Sequence, residues 1–287
     1  METSELLKKV RKIEIKTRGL SKHIFAGEYH SAFKGKGMAF SEVREYQFGD
    51  DIRSIDWNVT ARFNHPYIKT FEEERELTVM LLIDVSASEA FGTQTMQKRD
   101  LITEIAAVLS FSAISNNDKI GMIFFSDQIE KFIPPKKGRK HVLRIIRELV
   151  DFTPSNNNTN ISEGLRYLTN AVKKRCIAFL LSDFMDTRFE TALRIANYKH
   201  DLVAMHIFDQ REKELPNIGM MKLQDAESGK TLWIDTSDQI TRKLYEKKWR
   251  DSMQQLKSVW MKAGVDFAQF STGEDYIKTL MQFFKHR

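Results

Sequence analysis

The chain has 287 residues, 41% of them hydrophobic and 29% charged, and carries a formal net charge of +6. This length and apolar content indicate a globular protein with one large domain, or a domain with an appendage, and exclude an intrinsically disordered chain. Five prolines and thirteen glycines argue against long flexible linkers, and the single cysteine, Cys176, excludes an internal disulfide framework.

The first part of the chain, residues 1–77, shows no regular alternation of strands and helices. A charged amphipathic helix is predicted over residues 5–15, and a glycine-rich stretch follows over residues 33–38. Residues 42–57 mix many charges with aromatic side chains, which predicts a compact appendage rather than a core of usual domain size. We therefore predict an N-terminal appendage over residues 1–77 and a main domain over residues 78–287.

Acidic and basic side chains alternate within the appendage. The arginines are Arg44, Arg53 and Arg62, and the acids are Glu42, Asp50, Asp51 and Asp56. We expect ion pairs that hold the appendage on the sheet, with Tyr46 and Trp57 as packing anchors. The alternatives are a docking surface for a partner and an acidic, nuclease-like centre, for which no histidine or lysine with a matching role lies nearby.

From residue 78 onward, apolar runs of strand length alternate with apolar residues at helical spacing. The predicted strands are residues 78–84, 119–125, 131–133, 176–182, 201–208 and 265–270. The predicted helices are residues 97–115, 141–152, 161–173, 187–198, 237–263 and 274–285. This alternation predicts an α/β fold with a doubly wound, mostly parallel sheet and right-handed crossovers.

Two features interrupt the alternation. Pro134 and Pro135 are expected to stop the short edge strand at residues 131–133, because proline cannot donate to a strand ladder. Residues 219–224 and 230–235 flank a turn sequence and predict a β-hairpin insertion between the regular units.

The strand at residues 78–84 ends in one carboxylate and two hydroxyls, Asp84, Ser86 and Ser88, in the pattern D-x-S-x-S. Ligands of open α/β sheets bind at the carboxyl ends of the strands. Such oxygens suit a hard divalent cation, above all Mg²⁺, with Mn²⁺ or Ca²⁺ as alternatives. The remaining ligands must come from loops after neighbouring strands, and Thr159 and Asp183 stand in the right places.

The order Asp84-Val-Ser86-Ala-Ser88, Thr159 and Leu181-Ser182-Asp183 resembles the von Willebrand factor A domain and its metal-ion-dependent adhesion site (MIDAS). The resemblance implies that the two serines and often Thr159 touch the metal directly, while Asp84 and Asp183 act mostly through water. Phe184 departs from the glycine that is common after the aspartate. The alternative is structural: the serines cap a helix and Asp183 begins one.

The segment from Gly37 to Arg62, followed by Lys69-Thr-Phe71-Glu-Glu-Glu74, resembles the signature of the bacterial domain-of-unknown-function family fifty-eight. Members of that family are von Willebrand factor A-like and are commonly encoded beside MoxR-type AAA+ ATPases. Many relatives carry transmembrane helices ahead of this segment. The apolar runs of this chain are too short to span a membrane and its acidic start is no signal peptide, so we expect a cytoplasmic protein.

The resemblance implies a non-enzymatic module that captures an acidic side chain of a protein partner through Mg²⁺. The implied partner is a MoxR-type AAA+ ATPase and its client, in protein remodelling or complex maturation. Nucleic acid is not the expected partner, because the basic cluster at residues 136–141 accompanies no nucleic-acid-binding signature. The alternative is a metal-dependent hydrolase, a phosphatase or nuclease, which needs a general base that the sequence does not reveal.

Overall fold

The computed structural model describes residues 39–72, 77–92, 96–186, 188–224 and 229–287. The helix predicted over residues 5–15 and the glycine-rich stretch over residues 33–38 lie outside the described residues. The chain divides into two compact units, Lys34–Leu77 and a larger one that contains Thr78–Arg287. The domain boundary proposed from the sequence at residue 77 stays a prediction.

In its described residues the smaller unit contains an antiparallel pair of strands, β1 (Ala39–Glu45) and β2 (Tyr67–Glu72), with a 3₁₀ turn (Ile52–Ser54) and the helix α1 (Trp57–Phe63) between them. Within this unit Arg44 binds both carboxylate oxygens of Asp50, at 2.7 and 2.9 Å. Asp56 caps α1 by accepting from the N–H groups of Asn58 and Val59, and its carboxylate also pairs with the Lys69 ammonium at 3.4 Å. Within this unit Trp57 is 68% exposed and Tyr46 is partly buried, and their role as packing anchors stays a prediction.

The larger unit is built on a six-stranded sheet and a separate hairpin. The strands of the sheet are β3 (Thr78–Asp84), β4 (Lys119–Phe125), β5 (Ile129–Lys136), β6 (Ile177–Ser182), β7 (Asp201–Phe208) and β10 (Asp266–Ser271), and those of the hairpin are β8 (Met220–Gln224) and β9 (Thr231–Asp235). The order in the sheet is β10-β7-β6-β3-β4-β5. All neighbours are parallel except β5, which runs antiparallel to β4. The predicted fold class and the hairpin insertion are thus confirmed.

Helices cover both faces of this sheet. They are α2 (Lys98–Ser115), α3 (Arg139–Asp151), α4 (Ile161–Ala171), α5 (Glu190–Lys199), α6 (Gln210–Lys213), α7 (Gln239–Ala263) and α8 (Tyr276–His286). Because both faces are covered, a central strand such as β3 buries nearly every side chain and reads as a continuous apolar run. Met80 and Leu82 of β3 belong to the core cluster that Trp260 of α7 also joins.

The edge strand β5 corrects one prediction. It continues through Pro134 and Pro135 to Lys136 rather than stopping at residue 133. The register of β5 against β4 shifts between Ile120 and Met122, opposite this segment. Prolines are tolerated at bulges and on edge strands, where one side of the backbone pairs with no neighbour.

The order of the strands reverses beside β3, and this reversal positions the candidate site. The chain proceeds outward from β3 through β4 and β5, then returns to β6 on the other side of β3. The carboxyl ends of β3 and β6 therefore flank a switch point, where open α/β sheets bind ligands. No helix in the described ranges is both long enough and apolar enough to cross a membrane.

Candidate metal centre

The carboxylate of Asp84 joins the ends of β3 and β6. Its Oδ1 accepts from the N–H of Ser86 at 3.0 Å, and its Oδ2 accepts from the hydroxyl of Ser182 at 2.7 Å. The Ser182 oxygen in turn accepts from the N–H of Phe184. Asp84 is 1% exposed, so these bonds hold a buried carboxylate in one orientation at the switch point.

The two serines of D-x-S-x-S face each other. Their hydroxyl oxygens lie 3.1 Å apart, and Ser86 is buried while Ser88 is partly exposed. Ser86 precedes a short 3₁₀ helix, Ala87–Ala90, but its side chain makes no capping hydrogen bond. The hydroxyl of Ser86 is therefore directed at its neighbour rather than at the helix terminus.

Asp183 follows β6 and is 2% exposed. Its Oδ2 accepts from the Lys98 ammonium at 2.8 Å, and its Oδ1 accepts from the N–H of Met185 at 3.2 Å. Oxygens of Asp84, Glu89 and Asp183 all lie within 4.8 Å of one another. The structure thus brings together the carboxylates predicted at two separate strand ends, and adds a third.

Thr159 lies in the loop that precedes α4, and it is partly buried. Backbone hydrogen bonds anchor this loop on both sides of it: Asn157 O accepts from Ala87 N at 3.0 Å, and Asn160 N donates to Ser126 O at 2.9 Å. The side chain of Asn160 caps α4 by accepting from Glu163 N–H. The loop is therefore held against the D-x-S-x-S turn, and the role of Thr159 as a ligand stays a prediction.

The sequence interpretation missed three charged residues of this cluster. Lys98 begins α2, is fully buried and lies 2.8 Å from both Asp183 and Glu212. Glu89 is 2% exposed, and its Oε1 accepts from Asp183 N–H at 3.1 Å. The position of Glu89 directly after the motif was a usable signal, whereas nothing local marks Lys98 or Glu212 as parts of one cluster.

Burial and mutual repulsion perturb these groups strongly. Burial, and then the charge of Asp183, raises the pKa of Asp84 to about 7. The same two causes raise the pKa of Glu89 well above its usual range. Burial also opposes ionisation of Asp183, but the Lys98 ammonium outweighs it and lowers the pKa of that carboxyl. The raised pKa values favour the neutral forms of Asp84 and Glu89, so full ionisation of the three carboxyls would need positive charge beyond that of Lys98.

A cavity of about 240 Å³ borders this cluster. Asp84, Ser86 and Glu89 line one side of it, and most of its remaining lining is apolar, including Ile102 and Phe124. An apolar cavity of roughly 150 Å³ already accommodates a benzene-sized group. The space is therefore large enough for one bulky apolar side chain beside the oxygen ligands.

Two residues outside the cluster, His206 and Cys176, are buried in the core. His206 is 2% exposed and packs against Phe208 and Trp260, and burial lowers its pKa to about 4. Cys176 is buried against His200, and burial raises its pKa to about 12, so the thiol is held in its unreactive protonated form.

Comparison with known proteins agrees with the predicted family. The model of the family described as "Protein of unknown function DUF58" matches residues 42–255. The uncharacterized protein Rv1480 of Mycobacterium tuberculosis is 30% identical over 232 residues, which are 80% of this chain and 73% of that protein. The uncharacterized protein YeaD of Bacillus subtilis is 27% identical over 109 residues, or 38% of this chain and 25% of its own.

Among solved structures, an aerotolerance-related membrane protein of Bacteroides fragilis is similar with a TM-score of 0.51 and 12% identity. The similarity covers 74% of this chain and all of that one. Together with the strand order, it confirms the α/β fold with a central, mostly parallel sheet.

Proposed function

Since the chain belongs to the DUF58 family, we propose its function from the site it carries: a non-enzymatic module that binds a protein partner through a divalent cation. One observation carries this proposal. The carboxylates of Asp84 and Asp183 and the hydroxyls of Ser86 and Ser88 converge at the switch point of the sheet. Thr159, in the loop anchored beside them, completes the proposed ligand set.

The donor set fits a hard cation. Its side-chain atoms are oxygens, which Mg²⁺, Mn²⁺ and Ca²⁺ prefer over nitrogen or sulfur. Three carboxylates buried within 4.8 Å of one another repel, and a divalent cation between them would relieve that repulsion. Mg²⁺ usually retains waters in proteins, so a partner could supply the remaining ligand.

We propose that this ligand is an acidic side chain of the partner, and that the cavity beside Asp84 receives an adjacent apolar side chain. Through the resemblance stated above, the proposed partner is a MoxR-type AAA+ ATPase or its client, in protein remodelling or complex maturation. The cytoplasmic location predicted from the sequence stays a prediction.

The test is binding of this chain to the purified MoxR-type ATPase encoded in the same genome, measured by biolayer interferometry. AAA+ ATPases need Mg²⁺ for their own nucleotide, so removing the cation by chelation would not separate the two sites. The informative comparison is Asp84→Asn against Asp251→Asn, an exposed aspartate of α7. We expect Asp84→Asn to weaken binding at least tenfold and Asp251→Asn to leave it unchanged. Equal binding by both variants would refute the adhesion role.

The alternative from the sequence, a metal-dependent hydrolase, would use the same cation to activate water. Glu89 adds a carboxylate near that position, but it is 2% exposed, whereas a general base must exchange protons with water. Phosphatase or nuclease turnover that is lost in Asp183→Asn would favour the hydrolase instead.

A further inference from the structure

Glu89 lies immediately after the D-x-S-x-S motif, in the 3₁₀ turn Ala87–Ala90. That turn directs its side chain inward, so that the carboxylate is 2% exposed. Oε1 accepts from the Asp183 N–H at 3.1 Å, which fixes the orientation of the group. Oε2 is buried and has no hydrogen-bond partner in the part of the chain that the structure describes.

The other carboxylate oxygens of the cluster differ from Glu89 Oε2. Asp84 accepts from Ser86 N–H and from the Ser182 hydroxyl, one bond to each oxygen. Asp183 accepts from Lys98 and from Met185 N–H, again one bond to each oxygen. Among the six oxygens, Glu89 Oε2 alone lacks a bond within the described ranges. A buried polar atom without a partner is costly, and it is expected where a ligand supplies the missing contact.

We propose that Glu89 is a direct ligand of the cation through Oε2, in addition to the oxygens of the D-x-S-x-S set. This inference rests on the proposed function, because it concerns the same cation. Two oxygens bound to one ion at the usual 2.0–2.6 Å lie at most about 4 to 5 Å apart. One carboxylate oxygen from each of Glu89, Asp84 and Asp183 meets that limit, since these three atoms lie within 4.8 Å of one another.

A charged ligand supplied by the chain itself allows the site to bind its cation without the partner. Hydroxyl ligands alone would leave the charge of the cation poorly neutralised, and stable binding would then depend on the partner's carboxylate. The Glu89 carboxylate supplies that negative charge from within the protein. The chain therefore holds its cation before any partner arrives, and the partner adds a ligand to an ion already in place.

The test is calorimetric titration of the full chain with MgCl₂ and MnCl₂ in the absence of partner, after removal of metals with EDTA. Glu89→Gln keeps the oxygen that accepts from Asp183 N–H and replaces Oε2 with a group that cannot ligate a cation. Glu246→Gln, a partly exposed position of α7, makes the same chemical change away from the strand ends. We expect Glu89→Gln to weaken cation binding at least tenfold, or about 1.4 kcal/mol, and Glu246→Gln to match the wild type.

Thermal unfolding of each variant in EDTA, and again with 5 mM MgCl₂ as the chosen condition, provides a second measurement that does not depend on heat signals. We expect Glu89→Gln to unfold cooperatively in EDTA and to gain less from the cation than the wild type. Equal affinities for wild type and Glu89→Gln would overturn the role of Glu89 and leave the proposed function standing. No cation binding by the wild type would overturn both.

Discussion

Replacing Lys98 with methionine removes a buried ammonium and keeps an unbranched side chain of similar length. The ammonium is fully buried and lies 2.8 Å from an oxygen of Asp183 and 2.8 Å from one of Glu212. Burial alone would lower the pKa of Lys98, but the charges of the surrounding acids, Glu89 among them, outweigh burial and raise it. The lysine is therefore charged in the folded protein and holds the acidic cluster together.

The expected loss of stability follows from this geometry. Removing one partner of a buried ion pair costs about 3–5 kcal/mol, because the other charge stays buried without compensation. The matched control is Lys131→Met, which breaks a pair with Glu148 at 2.6 Å whose side chains are 37% and 26% exposed. A pair of that exposure contributes about 0–1 kcal/mol.

Urea unfolding in EDTA measures the loss of stability in Lys98→Met and in Lys131→Met. An unchanged slope of the unfolding free energy against urea concentration would show that each variant exposes the same surface on unfolding as the wild type. Repeating the urea unfolding of the wild type and both variants with Mg²⁺ tests whether the charge of the Lys98 ammonium affects cation binding. A cation at 100 times its Kd stabilises the folded state by about 2.7 kcal/mol, and each tenfold tightening adds about 1.4 kcal/mol. Loss of the adjacent ammonium should tighten cation binding, so Mg²⁺ should stabilise Lys98→Met more than the wild type.

Two results would contradict this reasoning. If Lys98→Met costs no more than Lys131→Met in EDTA, the buried pair does not stabilise the fold as the geometry indicates. If Mg²⁺ stabilises Lys98→Met and the wild type equally, the ammonium does not act on the cation site. The first outcome concerns the ion pairs alone, and the second concerns the proposed cation.

Three further changes test the fold around the site. Gly121→Ala should cost about 1–3 kcal/mol by urea unfolding, because the added Cβ would lie 2.8 Å from Pro135 N and 2.9 Å from a β5 carbonyl oxygen; an unchanged midpoint would show that β5 yields easily. Phe184 has a φ of 54° and is 5% exposed. Phe184→Gly should relieve about 1 kcal/mol of backbone strain but lose about 3–5 kcal/mol of stability from the buried ring. A variant as stable as the wild type would contradict that balance. Burial lowers the pKa of His200 from 6.5 to about 4, so the stability it contributes is present above pH 6.5 and is lost as the pH falls toward 4, by up to about 3 kcal/mol. His200→Asn should therefore lose less stability than the wild type between pH 7 and pH 4.5, and parallel pH profiles would assign the loss to other groups.

The sequence was sufficient to predict the sheet and the strand ends that carry the site. β3, β4 and β7 begin and end where their apolar runs do, because parallel strands covered on both faces bury nearly every side chain. The positions of Asp84 and Asp183 followed from that pattern. Asp84 is the last residue of one buried strand, and Asp183 directly follows the last residue of another.

Other features depend on tertiary structure and could not be predicted in this way. Lys98 and Glu212 are 114 residues apart, and a lysine at the start of a helix is normally solvated, so only the packed fold reveals that they pair. The inward direction of Glu89 depends on a single 3₁₀ turn. The continuation of β5 through two prolines depends on its position at the edge of the sheet, which the local sequence does not specify.

The hydrogen bonds around Lys98 make the carboxyl edge of the sheet one connected polar layer. Asp84 at the end of β3 accepts from Ser182 at the end of β6, and Lys98 connects Asp183 to Glu212 in α6, after β7. Glu212 also accepts from the N–H of Asp209, whose carboxylate accepts from the Thr272 hydroxyl beyond β10. A cation that shares the charge of Asp183 weakens the attraction of that carboxylate for Lys98, and Glu212 is the acid that remains paired with it. Binding of a cation at the ends of β3 and β6 should therefore change the ion pair between Lys98 and Glu212 in α6. This pair lies on the same edge of the sheet where a partner would bind.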